Sequence, residues 1–244
     1  MKINLLGINL DNLTFRQVLA RLNQFLSGKK QHYIVFPYSE FIVRSQHNQE
    51  FKDLLNNADL SLCDGRGLFF GCKILNRPLK EQVAGVELVE RLGEGITYPC
   101  RLFLVGAIDK VVKKTKEKLV ENYPKNIKIV GAENGFQEMD KVINKINRSQ
   151  ANFIIVNLGS PRQEKWITEN LKKMPDVKIA MGVGGAFDFL SGHIKRAPRV
   201  WRQKGLEWLW RLIHQPWRLK RQLALFEFGW LVLREKIYNK SVTQ

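Results

Sequence analysis

Short apolar runs alternate with amphipathic stretches along most of the chain. Ile3 to Leu6 reads as a strand. Thr14 is placed to cap a helix running to about Ser27, with Phe15, Val18, Leu19, Leu22 and Leu26 on one stripe. His32 to Phe36 predicts another strand, followed by helical segments over Phe41 to Leu55. Leu60 to Cys63 is a short apolar strand entering Asp64-Gly65-Arg66-Gly67, after which Leu68 to Leu75 and Gly85 to Gly93 read as helices. Further strands are predicted at Arg101 to Val105, Ile127 to Gly131, Phe153 to Leu158 and Val177 to Met181. Helices are predicted at Asp109 to Asn122, Gln137 to Asn147 and Ser160 to Lys173. Strands buried on both faces and alternating with helices point to a Rossmann-like α/β fold, a parallel sheet flanked by helices.

The pattern changes near Gly192. Beyond it come only helical signals, roughly Arg199 to His214 and Trp217 to Tyr238, parted by Gln215-Pro216. The expected organisation is an α/β catalytic domain over residues 1–194 and a C-terminal helical appendage over 195–244.

Composition narrows the class. With 244 residues, 44% hydrophobic and 26% charged, the chain can build one substantial core and is not disordered. Its most apolar late stretch, Leu223 to Leu233, contains Glu227 and falls short of the ~20 residues of a membrane span. Met1-Lys2-Ile3-Asn4 does not open a signal peptide. Cys63, Cys72 and Cys100 are scattered and odd in number, which fits buried thiols in a reducing cytosol. They and the four histidines lack metal-ligand spacing, so no metal is expected.

Charge is more informative. Of the formal +17, +9 falls between Lys195 and Lys240, together with five of the six tryptophans (Trp201, Trp208, Trp210, Trp217, Trp230). Nucleic acid suits such a segment, with cations over phosphates and aromatic stacking platforms. An anionic membrane surface suits it too, with Trp and Leu entering the headgroup boundary. A merely solvated face fits less well, because the apolar side chains are interleaved too densely to meet only water.

Three loops follow strands, where open parallel sheets bind ligands. In the first, Asp64 precedes a glycine turn that opens a helix. It is either the N-cap of that helix or a general base beside a backbone that Gly65 leaves open. Gly65 to Gly71 also fits a loose dinucleotide fingerprint, G-x-G-x-x-x-G, with Glu87 an approximate ribose partner. In the second loop, Ser160, Pro161 and Gln163 fit a capped helix start. Arg162 and Lys165 are then cations in turns where the helix dipole disfavours them, and an anionic ligand would offset that cost. Gln163 is placed to read a base or sugar edge. The third loop, Gly182-Val183-Gly184-Gly185-Ala186-Phe187-Asp188, reaches Lys195 and Arg196.

These motifs, with Val83-Ala84-Gly85, Gly159-Ser160-Pro161-Arg162-Gln163-Glu164-Lys165-Trp166, Lys195-Arg196-Ala197-Pro198 and Gly205 to Leu212, resemble the WecG/TagA/CpsF glycosyltransferases (glycosyltransferase family 26) over nearly the whole chain. The resemblance implies an inverting enzyme, cytoplasmic and peripheral on the inner face of the plasma membrane. Such an enzyme moves an N-acetylmannosamine-type sugar from a nucleotide of the uridine diphosphate kind onto a polyprenyl-diphosphate-linked sugar during cell-surface polymer synthesis. It implies no cofactor, no metal and no nucleic acid, and an appendage that docks on the membrane. Carried over by motif, Asp64 is the catalytic base, Gln163 a pocket residue, and Arg211, Arg218 and Arg221 reach the nucleotide diphosphate. Gly65, Gln82, Arg162, Gly184, Asp188, Lys195 and Arg196 complete the expected substrate-binding set. The sequence departs from the family at Phe36-Pro37-Tyr38, where T-x-N is common, and at Gln82, where arginine is frequent. A related hexose or uronic acid is thereby opened as donor. A nucleic-acid-binding protein and a dinucleotide-dependent oxidoreductase are the competing readings, and exposed tail aromatics would also suit a homo-oligomer.

Overall fold

The chain opens with a tight hairpin that the sequence pattern does not reveal. β1 (Lys2–Leu5) turns through Leu6 and Gly7, both at positive φ, and pairs antiparallel with β2 (Ile8–Asp11). The computed structural model describes residues 2–198, 200–201, 206–214 and 219–242. Six strands form one parallel sheet: β3 (His32–Val35), β4 (Leu60–Ser61), β5 (Cys100–Gly106), β6 (Ile127–Glu133), β7 (Phe153–Asn157) and β8 (Ile179–Gly182). Their spatial order is β4-β3-β8-β7-β5-β6. The helices are α1 (Phe15–Ser27), α2 (Ser39–His47), α3 (Gln49–Asn56), α4 (Arg66–Ile74), α5 (Gly85–Glu90), α6 (Asp109–Asn122), α7 (Met139–Arg148), α8 (Arg162–Asn170), α9 (Ala186–Leu190), α10 (Glu207–His214) and α11 (Leu219–Val242).

Alternation along the strands divides the core into two layers. Phe103, Val105, Ile154 and Val156 face α2, α3, α4, α7 and α8, whereas Leu102, Leu104, Phe153 and Ile155 face α1, α5, α6 and α9. Local chemistry accounts for the helix starts. Thr14 forms a capping box with Gln17 at the head of α1. Asn48 accepts the Phe51 N–H at 2.8 Å and splits the expected Phe41–Leu55 helical region into α2 and α3.

The long last helix is part of this core. Phe228, Leu231 and Val232 are buried against the layer that holds α2 and α4. Gly71 on α4 admits it, since a Cβ there would stand 2.6 Å from Phe228 Cζ; one turn earlier, a Cβ on Gly67 would meet Ser39 Oγ at 2.7 Å and lie in ordinary contact, 3.8 Å, with Leu225 Cδ2. Glu235 pairs with Arg77 at 3.0 Å and Glu227 with His47 at 2.8 Å. Leu225, Phe228, Val232 and Glu235 thus meet Gly67, Gly71 and Arg77 in the same chain order, so α4 and α11 ascend together.

Candidate active site

The carboxyl ends of β3, β4, β7 and β8 lie along one edge of the sheet, and the loops leaving them are tied to one another. Asp64 N–H donates to the Pro37 carbonyl at 2.8 Å, joining the β4 loop to the β3 loop. Val83 N–H donates to the Cys63 carbonyl at 3.1 Å, and Gly85 N–H to Asp64 Oδ2 at 3.3 Å. The Asp64-Gly65 and Val83-Ala84-Gly85 motifs therefore form one unit. Asp64 does not cap the helix that follows it. Gly65 holds that N-cap at φ 88°, with no side-chain cap, and the Asp64 carboxylate turns instead to the first turn of α5. Gln82 is half-buried just before this unit.

Phe36 and Tyr38 occupy the inner side of the same loops. A Cβ on Gly85 would stand 3.3 Å from the Phe36 ring, and one on Gly65 would stand 3.7 Å from Tyr38 Cβ. The Tyr38 hydroxyl donates to Glu40 at 3.1 Å. Cys63, next to Asp64, is buried. Burial first, then the nearby Cys72 and Asp64, holds its thiol well above the ordinary range, so it stands as a neutral group rather than a nucleophile.

On the β7 and β8 side, Gly159 and Gly184 adopt φ of 75° and 57°, and among the described residues nothing lies within 4 Å of where a Cβ would stand on either. Their backbones are open to an approaching ligand. Gln163 is 2% exposed; its Nε2 donates to Glu164 Oε1 at 2.7 Å and its Oε1 accepts from Gly184 N–H at 3.0 Å. The amide is thus engaged with Glu164 and with the Gly184 turn. The expected capping box fails for the same reason. With Gln163 turned inward, Pro161 takes the N-cap position of α8 without a side-chain cap, and Ser160 Oγ is buried beside Glu164 with no hydrogen bond of normal geometry among the described residues.

The two cations of this motif also have protein partners. Arg162 donates to the Gly135 carbonyl at 3.3 Å, and Lys165 pairs with Glu50 at 3.4 Å and with Glu169 at 3.9 Å. Asn157, which the sequence marks only as the polar end of an apolar strand, accepts Phe187 N–H at 2.9 Å and so secures the start of α9. Asp188 lies in the first turn of α9, and its carbonyl accepts Ile194 N–H at 3.0 Å.

Residues 3–242 match the profile of the "Glycosyl transferase WecG/TagA/CpsF family". The chain belongs to that family. It is also 33% identical over 236 residues, 92% of this chain and 91% of the relative, to the "N-acetylglucosaminyldiphosphoundecaprenol N-acetyl-beta-D-mannosaminyltransferase" of Bacillus subtilis (strain 168). The protein is a WecG/TagA/CpsF glycosyltransferase, and its motifs lie along the sheet edge that α/β folds use for ligands. The nucleic-acid and oxidoreductase readings are left without support. In particular, Gly67 and Gly71 receive Ser39, Leu225 and Phe228 rather than a dinucleotide.

The remaining site residues of this glycosyltransferase divide by environment. Lys195 is exposed, whereas Arg196 pairs with Glu90 at 3.0 Å. Arg218 lies outside the described residues, as do the side chains of Arg211 and Arg221, whose backbones belong to α10 and α11. Among the described residues no group of three or more His, Cys, Asp or Glu side chains is arranged to hold a metal ion, and no helix is long and apolar enough to cross a membrane.

Proposed function

We propose that this glycosyltransferase moves an N-acetylmannosamine-type sugar, or a related hexose or uronic acid, from a uridine diphosphate carrier to a polyprenyl-diphosphate-linked sugar. The transfer inverts the anomeric centre. Asp64 takes the proton of the acceptor hydroxyl as its oxygen attacks the anomeric carbon, and the bond from that carbon to the diphosphate oxygen breaks with its electron pair leaving on the nucleotide. Gly65, Gln82, Arg162, Gly184, Asp188, Lys195 and Arg196 line the substrate path, with Gln163 holding the Gly184 turn from behind. Arg211, Arg218 and Arg221 balance the charge that develops on the departing diphosphate.

The observation carrying this reading is the Asp64 carboxylate, fixed on Gly85 N–H at the same edge of the sheet as the turns at Gly159 and Gly184. The name of the Bacillus subtilis relative supports the donor sugar and acceptor class. The course of α11 supports the arginines. Leu225 lies against Gly67 in the first turn of α4, and Arg221 is one helical turn, about 6 Å, nearer the edge that carries Asp64. The deciding assay supplies uridine diphosphate N-acetylmannosamine and a short-chain polyprenyl-diphosphate N-acetylglucosamine. A β-linked disaccharide lipid is expected; folded enzyme that transfers no nucleotide sugar to this acceptor overturns the reading.

Peripheral membrane attachment belongs to the same proposal, and α11 supports it. Leu223, Phe226, Trp230, Leu233 and Ile237 are all exposed and recur at alternating three- and four-residue steps. They form a stripe opposite the face that buries Phe228, Leu231 and Val232. Exchanging Phe226 and Trp230 together for Glu is expected to weaken binding to anionic vesicles about tenfold or more, while the melting temperature stays put. Unchanged vesicle binding would remove the stripe from this role. Loss of a concentration-dependent oligomer in the same variant, with vesicle binding intact, would assign the stripe to a second copy instead.

A further inference from the structure

Gln163 has only one working orientation. Gly184 N–H can only donate, so Gln163 must turn its carbonyl oxygen to Gly184 and its amino group to Glu164. Gly182 leaves the space for this: a Cβ there would stand 2.9 Å from Gln163 Nε2. The outer end of the link is therefore fixed by the carboxyl group of Glu164, a residue with no exposed surface.

Glu164 sits among polar groups from three elements. Tyr33 on β3, Ser160 in the preceding turn and Arg44 on α2 lie near it, and Tyr33 Oη, Ser160 Oγ, Arg44 Nη1 and Glu164 Oε2 are all buried without a hydrogen bond of normal geometry. The Arg44 charge is met by Glu40 at 3.0 Å rather than by Glu164. On the outer flank, Lys165 of α8 pairs with Glu50 of α3. β7 and β8 contribute apolar side chains to this layer, Ile154, Val156 and Ala180. Glu164 thus has an acceptor role toward Gln163 and, among the described residues, no ion-pair partner.

We propose that Glu164 is a positioning residue for sugar transfer, acting through Gln163 to hold the Gly184 turn at the end of β8. The inference rests on the glycosyltransferase reading of this cleft. Burial pushes the Glu164 carboxyl up. The Gln163 amide, its own backbone, Ser160 and Arg44 oppose that shift without cancelling it. In its protonated form, which burial favours, the acid presents a carbonyl oxygen to Gln163 and a hydroxyl toward Tyr33 and Ser160. A glutamine at this position would present a carbonyl oxygen and an amino group in the same two directions.

The test compares Glu164→Gln with Glu164→Met in the full chain, by transfer kinetics, thermal melting and amide exchange of the peptide containing Gly184. The Gln variant is expected to keep turnover within about twofold of wild type. Methionine fills similar volume but accepts no such hydrogen bond. That variant should fold, exchange faster at Gly184, and lose about tenfold to a hundredfold in kcat with a smaller change in donor KM. Wild-type kcat and Gly184 exchange in the Met variant would overturn the proposal. A Gln variant as impaired as the Met variant would also overturn it, as that result belongs to an ionised carboxylate held by Arg44. Should the Met variant not fold, the Gln variant decides alone: retained turnover supports the proposal and lost turnover overturns it. Wild-type enzyme without transfer activity would instead sink the reading of the cleft, while Gly184 exchange still reports on the link from Glu164.

Discussion

Asp64→Asn is expected to lower kcat by about 10²–10⁴-fold without unfolding the protein. Asparagine matches the side chain in size and keeps an oxygen to accept Gly85 N–H, the bond that holds Asp64 at 3.3 Å in the native chain. It cannot take the acceptor proton. Stability and turnover should therefore separate in this variant, with substrate binding little changed. A folded Asn variant that turns over at nearly the native rate would remove Asp64 from the role of base.

The second large effect is one of stability. Phe228→Ala should cost about 3–5 kcal/mol, as expected for emptying a buried aromatic site, and turnover should fall with it as α11 leaves α4. Phe226, two residues earlier, is 74% exposed, and its replacement by Ala should change stability by less than about 0.5 kcal/mol. Denaturant titrations of both variants check the contrast. Equal stabilities would mean that α11 is not part of the core. Deleting residues 195–244 is for this reason not a clean test of membrane docking. It would strip Phe228, Leu231 and Val232 from the layer that also holds Phe41 and Cys72. We propose that the division near residue 194 is one of role, with the appendage sharing the core of the body.

Much of the fold was legible because its signals are local. Thr14 and Gln17 stand three residues apart, and the α1 stripe predicts the side chains that are buried. The parallel sheet follows from strands without a polar face, and the site edge from glycines directly after them. What escaped notice depends on distant partners. The use of Gly67 is set by Ser39, and that of Gly71 by Phe228, far along the chain. The unexplained charge on Lys165 is met by Glu50, 115 residues earlier. β2 hides because Ile8–Asp11 is short and its turn, Leu6-Gly7, lacks the Asn-Gly or Asp-Gly signature of a tight hairpin. Ser160 misled because a suitable capping sequence lost its Gln163 to the Gly184 turn.

The carboxylate proposed as the base hangs from the shortest strand of the sheet. β4 pairs through only Leu60 and Ser61, and its outer side is closed by Asp11, which accepts Ser61 N–H at 2.9 Å. Beyond Ser61, the polypeptide that carries Asp64 is steered by the Pro37 carbonyl on one flank and by Val83 and Gly85 on the other. The aim of the proposed proton acceptor is thus delegated to two remote stretches of chain. If Asp64 is the base, alterations near Phe36 or Val83 are expected to retune the reaction while every group proposed to meet the sugar stays the same.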